Sequence, residues 1–175
     1  MSFQTKLLHS GAQPYFDVFG PLLQFLNTPE ESGNNFSFMK AIIPPGVAIP
    51  LHAHPDPEAL FVFEGSLEFL QFNDDNSHRW LTATGGDIIS VPPNAKHALR
   101  NKSSQKVDTL LITTPNIYNF FRELNKPFDQ AHPPTLPSAE DMQKLLALSR
   151  KYNYWMASPQ ENADVDLPGL AALQG

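Results

Sequence analysis

From Asn35 to Thr114 the chain is cut into apolar runs too short for helices, and each run is closed by proline, glycine or a polar cluster. The runs are NFSFMKAII (35–43), the segment 47–54, EALFVF (58–63), SLEFLQF (66–72), RWLTAT (79–84), DIISV (87–91), HALRN (97–101) and VDTLLITT (107–114). Pro44-Pro45-Gly46, Pro55-Asp56-Pro57, Glu64-Gly65, Gly85-Gly86 and Pro92-Pro93-Asn94 separate them. Strands fit such lengths, and close spacing with turn signals predicts an all-β sandwich or barrel. The 17 prolines belong to this pattern. Upstream, YFDVFGPLLQFLN (15–27) reads as two short strands bent at Gly20-Pro21.

The pattern changes after Pro115. IYNFFRELNK (117–126) reads as a short helix, and PFDQAHPPTLP (127–137) as a connector. Ser138 is a cap for a helix expected to run through Trp155, with Leu145, Leu148 and Tyr152 on one face. The expected organisation is an N-terminal arm (1–13), a barrel (14–115), a helical segment (116–156) and a partly disordered tail (157–175). With 175 residues and 41% apolar content, one core suffices without staples.

Composition excludes several function classes. The formal charge is -6 and no basic run occurs, so nucleic acid is not an expected partner. The absence of cysteine excludes thiolate chemistry and disulfides. MSFQTKLLHSG lacks the apolar core of a secretion signal, and no apolar run reaches membrane-spanning length. The expectation is a cytoplasmic protein with a small-molecule substrate and no membrane partner.

The chemistry concentrates in GVAIPLHAHPDPEALFVFEG (46–65). His52 and His54 are two apart on an extended segment, so their side chains share a face. Glu58 follows a Pro-Asp-Pro turn, and His97 opens a later strand after its own proline turn. Imidazoles with a carboxylate suit one first-row divalent ion: Fe, Mn, Ni, Cu, Co or Zn. Asp56 reads as a turn residue, and His9, His78 and His132 as surface residues. If Glu58 points inward, Leu60 and Val62 share its face. Phe120 and Phe121 either dock the first helix or cap the barrel mouth.

These residues carry a resemblance. The cupin motif G-x5-H-x-H-x3/4-E-x6-G is met by Gly46, His52, His54, Glu58 and Gly65. The second motif, G-x5-P-x-G-x2-H-x3-N, is met by Gly86, Pro92, His97 and Asn101, with Asn94 in place of glycine. The chain thus resembles the cupin superfamily across residues 46–101. That resemblance implies a jelly-roll β-barrel (a double-stranded β-helix) carrying a C-terminal helical appendage. His52, His54, Glu58 and His97 would then be metal ligands. The general layout resembles quercetin-dioxygenase-like cupins, which implies a dioxygenase acting on a small enolisable or aromatic compound, with Glu58 as proton acceptor, and a homodimer. Two alternatives stay open: a metal-dependent isomerase or lyase of a sugar or keto acid, with Arg79, Lys96 and Arg100 nearby, and a non-catalytic binding module.

Overall fold

The computed structural model describes residues 4–9, 13–129 and 137–167. Twelve strands are found among them: β1 (Phe16–Asp17), β2 (Leu22–Phe25), β3 (Ser37–Ile43), β4 (Ala48–Ala53), β5 (Glu58–Glu64), β6 (Ser66–Phe72), β7 (His78–Thr84), β8 (Ile88–Val91), β9 (His97–Arg100), β10 (Val107–Thr113), β11 (Lys126–Pro127) and β12 (Trp155–Met156). Three α-helices follow the barrel strands: α1 (Pro115–Leu124), α2 (Ala139–Lys151) and α3 (Pro159–Asp164). One sheet has the order β11-β1-β2-β3-β10-β5-β8 and the other β12-β4-β9-β6-β7. Every pairing is antiparallel. Strands that alternate between two facing sheets give the barrel that the spacing of turns predicts, in the jelly-roll form that the resemblance implies.

The period-two pattern decides what lies inside. Met39, Ala41 and Ile43 of β3, Leu60 and Val62 of β5, and Ile89 and Val91 of β8 are buried. Their neighbours Phe63 and Ile88 face out, at 52% and 66% exposure. Leu60 and Val62 thus occupy the face expected if Glu58 points inward.

The β5–β6 turn passes through Gly65, whose φ is +96°. The Pro92-Pro93-Asn94 turn needs the same left-handed backbone, and Asn94 supplies it with φ 63°. Asn is among the few side-chain-bearing residues that visit this region routinely. Asn94→Gly is therefore expected to change stability by less than about 0.5 kcal/mol, and Asn94→Ala to cost about 1 kcal/mol, by urea denaturation.

The C-terminal elements close the barrel. Thr114 caps α1, whose Ile117, Phe120 and Leu124 are buried. Ser138 and Asp141 form the capping box of α2. This helix stops at Lys151, not at Trp155 as its periodicity predicts: Asn153 turns left-handed (φ 59°), and Trp155 lies in a strand. The tail expected from residue 157 contains α3 up to Asp164, opened by a Ser158–Glu161 capping box behind Pro159. The Asn162 side-chain oxygen accepts from Leu51 N–H at 2.9 Å, and Ala157 N–H donates to the Leu51 carbonyl at 3.0 Å. Residues 168–175, and His132 in the connector, lie outside the described residues. No helix among the described residues is long and apolar enough to cross a membrane.

Candidate metal centre

β4 and β9 run side by side, and His52 stands opposite His97 in their ladder. Their rings are 4.1 Å apart, while His54 lies 5.7 Å from His52 and 5.0 Å from His97. One ligand nitrogen from each falls within 4.8 Å of the others. The turn before β9 fixes this approach, because Asn94 N–H donates to the His54 carbonyl at 2.7 Å. The two motifs found in the sequence are therefore hydrogen-bonded to each other at the site.

Backbone carbonyls set the tautomers. Nδ1 of His52, His54 and His97 lies 2.7, 2.7 and 2.9 Å from the carbonyls of Pro50, Asp56 and Ala95. A carbonyl only accepts, so each Nδ1 carries a proton, and in the neutral ring Nε2 keeps its lone pair. Three such lone pairs in one small volume are what a divalent ion needs, and carbonyl partners behind the rings hold them in place. His97 Nε2 is buried, and among the described residues it faces the Glu58 carboxylate at 3.3 Å. A bound cation would satisfy it, so the donor set fits a metal.

Glu58 opens β5 beside the cluster. Its Oε1 is 3.3 Å from His97 Nε2 and its Oε2 3.7 Å from His54 Nε2. Burial raises the Glu58 carboxyl, but the His97 hydrogen bond and the nearby imidazoles outweigh it, and the net shift is downward. The carboxylate is thus ionised at neutral pH. Burial pushes His52 well down and His54 down, which keeps both neutral. Burial also pulls on His97, yet its hydrogen bond and attraction to Glu58 prevail, and its pKa is raised.

Asp56 is a turn residue with a positioning task. Its carbonyl receives the His54 Nδ1 proton, while its carboxylate accepts from Thr114 Oγ1 at 2.6 Å and Asn116 Nδ2 at 2.5 Å. The β4–β5 turn is thereby tied to the start of α1. Asp56→Ala removes both anchors and is expected to cost about 1–3 kcal/mol, read as a lowered midpoint of chemical denaturation.

A cavity of about 910 Å³ adjoins the cluster. His52, His54 and Glu58 line one part of it, and Leu60, Leu99, Leu111, Ile117, Phe120 and Leu124 line much of the rest. Phe120 and Phe121 both line this space, so α1 docks and shapes the cavity at once. Two lining residues, Tyr154 and Met156, escape sequence reasoning altogether. His9 and His78 are exposed.

The basic residues near the motifs are engaged elsewhere. Arg100 Nε donates to Glu68 at 2.5 Å, its Nη1 donates to the Asp166 carbonyl at 3.1 Å, and its guanidinium stacks 3.6 Å over Trp80. Arg79 donates to Gln71, and the Lys96 ammonium sits 4.7 Å over Trp155. Lys102 also lines the cavity, beyond the Arg100 end of the β4–β9 ladder and away from His97.

A closed double sheet with converging imidazoles defines a β-barrel with an internal cluster able to hold a metal ion. The barrel has the cupin fold, and residues 39–113 match the family model described as Cupin domain. Among solved structures, Bacillus subtilis oxalate decarboxylase at pH 4.6 is similar at 19% identity and TM-score 0.51, covering 60% of this chain and 28% of that one. A predicted oxalate decarboxylase from Thermotoga maritima is similar at 17% identity and TM-score 0.54, covering 62% of this chain and 98% of that one. A Klebsiella pneumoniae protein with a double-stranded β-helix domain gives 18% identity and TM-score 0.51, over 64% and 91% of the two chains. This chain thus spans little more than a quarter of the Bacillus enzyme's length. No curated protein matches the sequence.

Proposed function

We propose that this cupin is a metal-dependent oxygenase acting on a small enolisable or aromatic compound. The observation that carries the reading is the set of three carbonyl-pinned imidazoles, two of which, His52 and His54, line an apolar cavity. In this reading His52, His54, Glu58 and His97 hold one divalent ion. The ion, when bound, supplies Lewis-acid polarisation of a substrate oxygen and a redox partner for O2. Mn is among the candidate ions, since the Bacillus decarboxylase has Mn(II) centres. The apolar walls receive the substrate body and exclude water. Glu58, ionised and beside the cavity, accepts the proton of the substrate hydroxyl.

The isomerase or lyase alternative wants cations for a phosphate or carboxylate, and Arg79, Lys96 and Arg100 are already paired or stacked. Oxygen-electrode measurements on Fe-, Mn- and Ni-loaded protein test the proposal. Consumption is expected with flavonols, diketones or related enolisable aromatics. Tight retention of such a compound without O2 uptake would instead favour a binding module.

We also propose a homodimer, with the β8 edge at the contact. Phe61 and Phe63 pack edge to face at 5.0 Å, and Phe61 stands opposite Ile88. An apolar surface at an unpaired edge invites a second copy. Sedimentation velocity is expected to give a dimer for the natural chain and a monomer for Phe63→Glu; a monomeric natural chain contradicts the assignment.

A further inference from the structure

β12 lies outside the matched family segment, yet it adds a strand to the sheet that carries the histidines. It pairs antiparallel with β4, with Met156 opposite His52 and Trp155 opposite Ala53. Continuing this register places Tyr154 opposite His54. Residues opposite each other on paired strands project from the same face. Tyr154 and Met156 therefore point inward with His54 and His52, and both line the cavity. Trp155 points the other way, to Lys96.

The Tyr154 ring is held on two sides. It stacks on Phe120 at 4.5 Å and 20°, and its centroid is 5.0 Å from that of His54. The hydroxyl, by contrast, is sealed from solvent and has no hydrogen-bond partner among the described residues. Buried hydroxyls without partners are costly, and native structures rarely leave them so. A tyrosine phenol ordinarily carries its proton at neutral pH. It is a donor waiting for an acceptor beside the histidine cluster.

We infer that Tyr154 donates a hydrogen bond to an oxygen atom of the ligand bound at the cluster, and that this ligand is a hydroxylated aromatic or similar compound with an otherwise uncharged, apolar body. The inference rests on the metal reading above and adds a residue from outside the family segment. The ligand class follows from the two parts of the site. One anionic oxygen has partners in the cation and the phenol, while Leu60, Leu111, Ile117 and Phe120 offer only apolar contact to the remainder. Arg100, which also lines the cavity, is committed to Glu68 and the Asp166 carbonyl. A second negative charge on the ligand would meet no free cation near the histidines among the described residues.

The test uses the full chain loaded with Co(II) and titrated with 4-nitrocatechol, followed by its visible spectrum. Co(II) affinity is measured separately by competition with a chromophoric chelator. Tyr154→Phe keeps the stack on Phe120 and removes only the hydroxyl. It is expected to weaken 4-nitrocatechol about tenfold with Co(II) affinity unchanged. Trp155→Phe, which alters β12 on its outward side, is expected to bind the probe as the natural chain does. Equal probe affinity in natural chain and Tyr154→Phe, equal losses in both variants, or no probe binding to the Co(II)-loaded natural chain would each overturn the role of Tyr154. A loss confined to Co(II) affinity would place the hydroxyl on Glu58 and overturn it too. Failure of the natural chain to take up Co(II) would sink the metal reading itself, a separable result.

Discussion

Replacing His97 by alanine is expected to weaken divalent-metal binding by at least about 100-fold, because even partners behind a ligand are worth 10- to 100-fold and His97 would be a ligand itself. The side chain stands where β9 meets β4, opposite His52, with its Nε2 buried beside the Glu58 carboxylate. Alanine leaves two imidazoles and Glu58, a set that can still hold an ion but with one ligand fewer. The ring also bonds the Ala95 carbonyl through Nδ1 and faces the buried Glu58 carboxylate at 3.3 Å, so the metal-free variant is expected to lose about 1–3 kcal/mol of stability. Metal titration by calorimetry, paired with thermal denaturation of both metal-free proteins, separates the two effects.

Acid should act at the same residue. A proton on His97 Nε2 blocks the lone pair, and Glu58 holds that pKa above its ordinary value, whereas His52 and His54 are pushed below theirs. The sign follows: above the raised His97 value the metal meets three free lone pairs, and below it one proton must leave first. Affinity is therefore expected to fall about tenfold per pH unit on the acid side of that value, with one proton released per ion. Release of three protons would mean that His52 and His54 are protonated too, against the downward shift of both.

Gly65→Ala is expected to destabilise the barrel by about 3 kcal/mol, adding left-handed strain to a backbone collision. Its φ is +96°, and an added Cβ would stand 2.8 Å from the Lys106 carbonyl oxygen and 3.0 Å from Val107 Cα. Neither atom can rotate away, since β10 begins at Val107 and pairs with both β3 and β5. Gly46 is the natural comparison. Its φ is +76°, but a Cβ there meets nothing within 4 Å, so Gly46→Ala should cost only about 1–2 kcal/mol. Urea denaturation of the two variants separates strain from collision. Equal losses would show that backbone strain alone places glycine at both ends of the first motif.

The strands were legible because turn residues bound them and period-two alternation fills them. The runs 58–63 and 66–72 reappear as Glu58–Glu64 and Ser66–Phe72. The gathering of His52, His54, Glu58 and His97 was legible for a related reason. Two of the residues share a strand face, and the other two follow rigid proline turns. What escaped depends on contacts between distant parts of the chain. β12 is two residues long and exists through pairing with β4, so no local pattern announces it. Helical periodicity through Leu145, Leu148 and Tyr152 pointed past the true end of α2, and Asn153 was the available stop signal. Tyr154 was lost with that boundary. The tie from Asp56 to Thr114 and Asn116 spans almost sixty residues and leaves no mark in either segment alone.

The most direct measurement is an anomalous difference map from crystals of the full chain grown with Mn(II) or Co(II), collected at the metal edge. A single strong peak between the Nε2 atoms of His52, His54 and His97, within reach of a Glu58 oxygen, is the expected result. A barrel in which those nitrogens surround only water, or in which the signal lies at another place, contradicts the account.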